Sequence, residues 1–270
     1  ICTGCTPLTN KIGQGSHEGF LESDVVLPSF TDLCERVHRW GSKICLQVTP
    51  GTGRNSYPNE FGDLPISASA IPLFFKPELK ARPLEVEEIH DIVDKAAFAA
   101  GLAVDAGFDA IEVHAHAGYL LDQFMSSCFN FRTDEYGGSV DNRTRFIREM
   151  IAAIRGVVGP DFPILVRIAV EHGFEGGREI PEGVELLKSI EKAGVDAFDV
   201  DCGSYERLDY IFPPSYQGPA CMAHVCKAAR AAVSVPILNG GTHDPDTALD
   251  LINSGEADFA VLGRALIADP

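Results

Sequence analysis

Residues 106–126 read AGFDAIEVHAHAGYLLDQFMS, in which an apolar strand pattern ends in a cluster of polar aromatic side chains. Ala110 to His114 (AIEVH) is short and rich in branched apolar residues, as parallel strands buried on both faces are. If the strand persists, alternation sends His114 and His116 to the same side, and Gly118 then allows a turn that presents Tyr119. Two imidazoles and a phenol converging at a strand end make a proton-donating, carbonyl-polarising cluster. The other reading has His114 as a satisfied core histidine and Tyr119 packed in the wall, and spacing alone leaves both open.

Working outward, similar short runs recur: Ile44 to Val48, Pro163 to Ile168, Ala197 to Val200, Val235 to Leu238 and Phe259 to Leu262. Between them lie helical patterns. Val86 to Asp105 carries Glu87 and Glu88 in its first turn, where they suit the positive end of the helix dipole. Asp141 to Val157 is closed by Gly159-Pro160, and Pro181 to Ala193 opens on proline and stops at Gly194. Pro219 to Ala232 and Asp244 to Asn253 follow. Such alternation implies a parallel sheet with right-handed crossovers, either open or closed. No GxGxxG follows an early strand, which counts against a dinucleotide-binding open sheet. The expected fold class is therefore α/β, a (β/α)8 TIM barrel. With Ile1 to Thr3 counted as a clipped strand there are seven, so the first barrel strand is expected to be missing. The chain also closes on LGRALIADP where a helix should be starting, so 1–270 reads as one barrel domain incomplete at both ends. From Gly51 to Pro83 there is no clear helix, and five prolines punctuate the segment. It follows the third barrel strand, so it reads as a flap over the C-terminal mouth.

Barrel enzymes place chemistry at strand C-termini, and phosphates at the loops after strands seven and eight. Those loops read LNGG (Leu238 to Gly241) and LGRAL (Leu262 to Leu266). Their glycines let backbone N–H groups approach a phosphate, and Arg264 adds charge. Arg167 lies inside the apolar run LVRIAV and needs an anionic or hydrogen-bonding partner. Gln47, likewise in an apolar strand, both donates and accepts. Asp199 and Asp201 read either as site-facing or as partners of Arg167.

Composition excludes several classes. A net charge of −17 repels nucleic acid and anionic membrane. No apolar run is long enough for a bilayer span, and no basic-then-apolar leader opens the chain, so the expected location is cytoplasmic. The eight cysteines include one CxxC, Cys2 and Cys5, without a second pair or a histidine pair at zinc spacing, so they read as reduced thiols and no metal is expected.

Taken together, these segments resemble the old yellow enzyme family of FMN-dependent ene-reductases, most closely its NADH:flavin oxidoreductase and 2,4-dienoyl-CoA reductase branch. The resemblance runs through LQVTPGTGR at 46–54, residues 106–126, NFRTDEYGGSVDNRTRF at 130–146, LVRI at 165–168, LNGG at 238–241 and GRALIADP at 263–270. It implies FMN as cofactor, NADH or NADPH as reductant, and a small unsaturated carbonyl compound (enone, enoate or dienoyl thioester) as substrate, with no nucleic-acid or membrane partner and a possible homo-oligomer. By the same resemblance Gln47 hydrogen-bonds the flavin pyrimidine and Arg167 sits beside the flavin ring. Asn239, Gly240, Gly241, Gly263 and Arg264 fall in the phosphate loops. His114 polarises the substrate carbonyl, Tyr119 donates a proton, and His116 joins them as a catalytic candidate. The second substrate-binding slot of the family pattern falls on Ala117, which has no donor; His116, Tyr205, Tyr210 or the 51–83 flap are the candidates to replace it. Arg132, Asp134 and Arg143 in the 130–146 block read as ties between the loop after strand four and its neighbour. An iron–sulfur cluster of longer relatives would lie beyond Pro270. The rival readings are a phosphate-binding barrel lyase or aldolase, against which no lysine falls in a barrel strand, and an inactive barrel fragment of a larger reductase.

Overall fold

The computed structural model describes residues 1–9, 21–59, 61–239, 241 and 244–268. The chain runs β1 (Thr6–Pro7), α1 (Leu27–His38), β2 (Cys45–Thr49), β3 (Ile66–Ser67), β4 (Arg82–Pro83), α2 (Val86–Ala106), β5 (Ala110–Ala115), α3 (Leu120–Met125), α4 (Val140–Arg143), α5 (Arg145–Val158), β6 (Ile164–Glu171), α6 (Ile180–Glu191), β7 (Ala197–Cys202), α7 (Leu208–Ile211), α8 (Ala223–Arg230), β8 (Ile237–Asn239), α9 (Pro245–Asn253), β9 (Phe259–Ala260) and α10 (Arg264–Ala268). Seven strands form one parallel sheet in the order β1-β2-β5-β6-β7-β8-β9. Neighbours in sequence are neighbours in space, with helices at the crossovers, which is the winding of a TIM barrel. Among the described residues no ladder joins β9 to β1.

The strand rows explain the winding. The outward row holds Leu46, Val48, Ile111, Val113, Ile164, Val166, Ile168, Phe198 and Val200, all buried under the helices. Each such side chain contributes roughly 1.5–3 kcal/mol by leaving water. α2 meets this layer with Ile89, Ile92, Ala96 and Ala103, and α5 with Phe146, Met150 and Ile154. The inward row is polar: Gln47, Glu112, His114, Arg167, Asp199 and Asp201. Among the described residues no helix is long and apolar enough to cross a membrane.

Several elements differ from expectation. The strand expected at Ile1 to Thr3 is a single bridge, Cys2 to Cys45, and the ladder to β2 comes at Thr6 and Pro7. The helix expected over 141–157 is broken at Thr144. There the hydroxyl turns back on Val140 O at 2.9 Å and shares a 2.7 Å contact with Ser189 Oγ; such back-bonding competes with the helix ladder. The helix expected from Pro219 starts at Ala223, after Gly218 at φ 85°. α1 is a helix beyond those expected; its apolar stripe is narrow, with only Cys34 of its own residues fully buried, and Phe30 meets Phe108 edge-on at 5.4 Å. Among its described residues the 51–83 flap has no α-helix but contains the short parallel pair β3–β4.

Candidate active site

The inward row assembles by register. Gln47 pairs with Glu112, His114 with Arg167, and Arg167 with Asp199, while Ala169 pairs with Asp201. Paired residues of parallel strands point to the same face, so these side chains share the barrel interior. Gln47 Nε2 donates to Glu112 Oε2. Arg167 Nε donates to Asp201 Oδ2 at 3.1 Å and lies 3.6 Å from Asp199 Oδ2. Of the two readings left open for Asp199 and Asp201, both acids lie on Arg167, and Asp201 also reaches the mouth. His116 Nδ1 is 2.7 Å from Asp201 Oδ2, and among the described residues that Nδ1 makes no other polar contact.

The sequence-predicted cluster comes together. The His114 ring lies 4.3 Å from that of His116 and 4.7 Å from that of Tyr119, centroid to centroid. Burial, then the charges of His116 and Arg167, hold the His114 imidazole well below its ordinary range, so it is neutral near pH 7. Burial raises the Asp201 carboxyl, but His116 and Arg167 outweigh it and keep that carboxyl below the usual range. Asp199 goes the other way: burial, with Glu112 and Asp201 alongside, pushes it up to about 8 against the pull of Arg167.

Residues that sequence reasoning did not single out hold this cluster in place. Gly118 N–H donates to Asp122 Oδ2 at 2.8 Å. Asp122 is fully buried, 2.7 Å from Arg178 and 3.2 Å from His172 Nε2, and these charges hold its carboxyl far below the usual range against the effect of burial. Gln123 Nε2 donates to Gly118 O at 2.6 Å and Thr52 O at 3.2 Å, and its Oε1 accepts from Arg54 N and Ser67 Oγ. The flap is therefore stitched to the strand-end turn. Close packing at Gly53, where a Cβ would fall 2.4 Å from Gln123, requires glycine. The buried Arg54 guanidinium pairs with Glu206 from the loop after β7 and sits 4.6 Å over the Phe129 ring. Asp122 and Gln123 lie in the six-residue α3, too short to show a period, and Arg54, Arg178 and Glu206 lie outside the regular α-helices and strands, so no periodicity marks them.

The 130–146 block makes the ties expected of it. Arg132 pairs with Asp134 and donates to Leu84 O at 2.6 Å and Ala68 O at 3.3 Å; Arg143 pairs with Glu182 on α6.

Ala117 departs from ordinary backbone geometry, with φ 60° in a left-handed conformation. Among non-glycine residues asparagine tolerates that region best. Ala117→Asn is expected to raise stability by up to about 1 kcal/mol. A thermal melt checks this, and a lower melting temperature would count against strain at this position.

The sequence profile of the NADH:flavin oxidoreductase / NADH oxidase family matches the chain over residues 1–270. The chain belongs to that family. It is 41% identical over 254 residues to a cinnamate reductase of Clostridium sporogenes, an alignment covering 88% of this chain and 38% of that protein. It is 34% identical over 250 residues to an NADPH dehydrogenase of Bacillus subtilis, covering 92% of this chain and 70% of the other. Among solved structures it superposes on a 2-naphthoyl-CoA reductase complex with TM-score 0.84 at 28% identity, covering 96% of this chain and 41% of the other. Morphinone reductase in complex with tetrahydroNAD gives TM-score 0.82 at 25% identity, with 99% and 74% covered. The chain thus spans 38% of the length of the cinnamate reductase it matches.

Membership implies FMN, and the barrel mouth fits that group. Asn239 is buried, and neither its amide oxygen nor its nitrogen has a partner among the described residues. By register Asn239 shares the outward row of Val200 rather than the inward row of Asp199, so the register does not direct its side chain into the barrel interior as the sequence expectation requires. Gly241 has φ 81°, and a Cβ there would fall 3.0 Å from Met222 Sδ, a cradle only glycine leaves open. Around Gly263 a Cβ would meet nothing within 4 Å, and Arg264 Nη2 donates to Pro213 O at 2.8 Å from an exposed position. Gly240 lies outside the described residues. Of the residues expected to hold the cofactor, Gln47 and Arg167 lie in the inward row, Gly241 follows β8, and Gly263 and Arg264 follow β9. Among the described residues no cluster of metal-ligating side chains occurs.

Proposed function

We propose that this chain reduces an activated C=C bond, in an enone, enoate or dienoyl thioester, with NADH or NADPH as the reductant. The observation that carries the reading is the meeting of His114 and Tyr119 at the end of β5, above the polar inward row. When bound, FMN supplies the hydride chemistry between nicotinamide and alkene. The protein's own residues orient the substrate and move a proton. Neutral His114 has one ring N–H, and donating it to the substrate carbonyl stabilises the charge that develops there, worth ~10²–10³ in rate. The Tyr119 hydroxyl delivers a proton to the α-carbon, worth ~10²–10⁴. Arg167, fixed by Asp201 and Asp199, places a positive charge beneath the mouth.

Aromatic side chains of the flap support aryl-substituted substrates. Tyr57 stacks on Phe75 at 5.0 Å, and Phe74 meets Tyr205 edge-on at 5.3 Å. Tyr205 joins these rings to Tyr119, lying 6.0 Å from Phe75 and 5.8 Å from Tyr119, and Tyr57 and Phe75 expose planar apolar surface. The names of two relatives, cinnamate reductase and 2-naphthoyl-CoA reductase, point the same way. The acidic net charge of −17 favours a small-molecule substrate over a polyanion, and the eight cysteines, read as reduced thiols, fit a reducing cytoplasm.

The test is direct. Purified protein should carry flavin absorbance, release FMN on denaturation, and saturate an aryl acrylate with NADH or NADPH under anaerobic conditions. A protein that binds no FMN, or binds it and leaves every such alkene untouched, rejects the reading.

A further inference from the structure

The family slot for a second donor is Ala117, yet the position is not left bare. Ser204, in the loop after β7, forms an isolated parallel bridge to Ala117 and so draws that loop against the strand end. The next residue, Tyr205, brings its hydroxyl to 3.2 Å from the hydroxyl of Tyr119. Its ring is clamped edge-on by Phe74 at 5.3 Å and Phe75 at 6.0 Å. On the chain's other side Glu206 pairs with buried Arg54, and its N–H donates to Ser204 Oγ at 3.4 Å. Tyr205 is thus fixed from both sides, and still partly exposed to solvent. The other candidates are engaged elsewhere. His116 Nδ1 faces Asp201, and the Tyr210 ring lies 4.1 Å from the Arg207 guanidinium and beside Gly173.

We infer that Tyr205 is a positioning residue for the proton donor: its hydroxyl stabilises Tyr119 after proton delivery and recharges it from solvent. The inference rests on Tyr119 being the donor. In the delivery step the Tyr119 O–H bond breaks and a C–H bond forms at the α-carbon, leaving negative charge on the Tyr119 oxygen. The Tyr205 O–H then donates to that oxygen. As its proton crosses, a new Tyr119 O–H forms, and water at the partly exposed Tyr205 returns the proton lost. A hydrogen bond to a charged oxygen is stronger than one between neutral groups, so the benefit falls on the step and not on substrate binding.

The experiment uses the FMN-loaded protein and compares Tyr205→Phe, Tyr119→Phe and the double variant. Tyr205→Phe keeps the ring contacts to Phe74 and Phe75 and removes only the hydroxyl. Its kcat for alkene reduction should fall about 10–100-fold with KM for the alkene unchanged. With ferricyanide as acceptor, which takes no proton from Tyr119, its turnover should equal that of the parent protein. The double variant should be no slower than Tyr119→Phe alone, because the relay has nothing left to serve. A parental kcat for Tyr205→Phe, or losses that multiply in the double variant, overturns the relay while Tyr119 stands. If Tyr119→Phe itself reduces the alkene at the parental rate, the donor assignment falls and the relay falls with it.

Discussion

Tyr119→Phe should lower the rate of alkene reduction by ~10²–10⁴ while the oxidation of NADH or NADPH with ferricyanide keeps its parental rate. The size follows from what the hydroxyl does. Without it the α-carbon must take its proton from water that no side chain positions, and general acid assistance is lost whole. The ring itself remains, so its 4.7 Å packing on His114 and the turn at Gly118 survive. His114 should behave differently. In the proposed role, a neutral imidazole donating its N–H to the carbonyl, it would act on both binding and rate, so His114→Phe should raise KM as well as lower kcat. Rapid-mixing measurement of the two half-reactions separates these outcomes. Equal slowing of both halves by Tyr119→Phe would remove the tyrosine from the proton-donor role.

Arg178→Met should destabilise the protein by about 3–5 kcal/mol, the range for breaking a buried ion pair from one side. Arg178 and Asp122 are both fully buried, 2.7 Å apart, and Arg178 also donates to Ala169 O at 2.6 Å and Ser126 Oγ at 2.7 Å. Methionine fills much of the space but leaves Asp122 charged, with only His172 and the Gly118 N–H beside it. The loss should therefore reach the active site, because Asp122 fixes the turn that presents Tyr119. The same carboxylate sets an acid limit. Its folded pKa is depressed far below the unfolded value of ~3.9. Its contribution is therefore complete above that unfolded value and is lost as pH falls below it toward the folded one. Urea midpoints across pH check both statements; a loss below about 1 kcal/mol in Arg178→Met would show that the pair is not a support of the turn.

How much of this was readable in the sequence depends on the range over which each feature is encoded. Strands at 110–115, 164–171 and 197–202 announced themselves by runs of branched residues, because a strand buried on its outer face needs them locally. The pairing of His114 with Tyr119 was also legible, since both lie within one strand end and one turn. α1 was not, because its partly buried stripe is narrow, and the break at Thr144 depended on a hydroxyl whose partner Ser189 lies on a distant helix. The order of strands and helices, and the expectation that His114, Tyr119 and Arg167 lie near the barrel mouth, were therefore legible in the residues and in the family resemblance, because they are encoded locally. Only the tertiary structure decided that Tyr205 meets Tyr119, that Asp201 faces His116, that Glu206 holds Arg54 and that Arg178 holds Asp122. Each of those contacts joins separate strands or loops, and it is the register of the parallel sheet that brings them together.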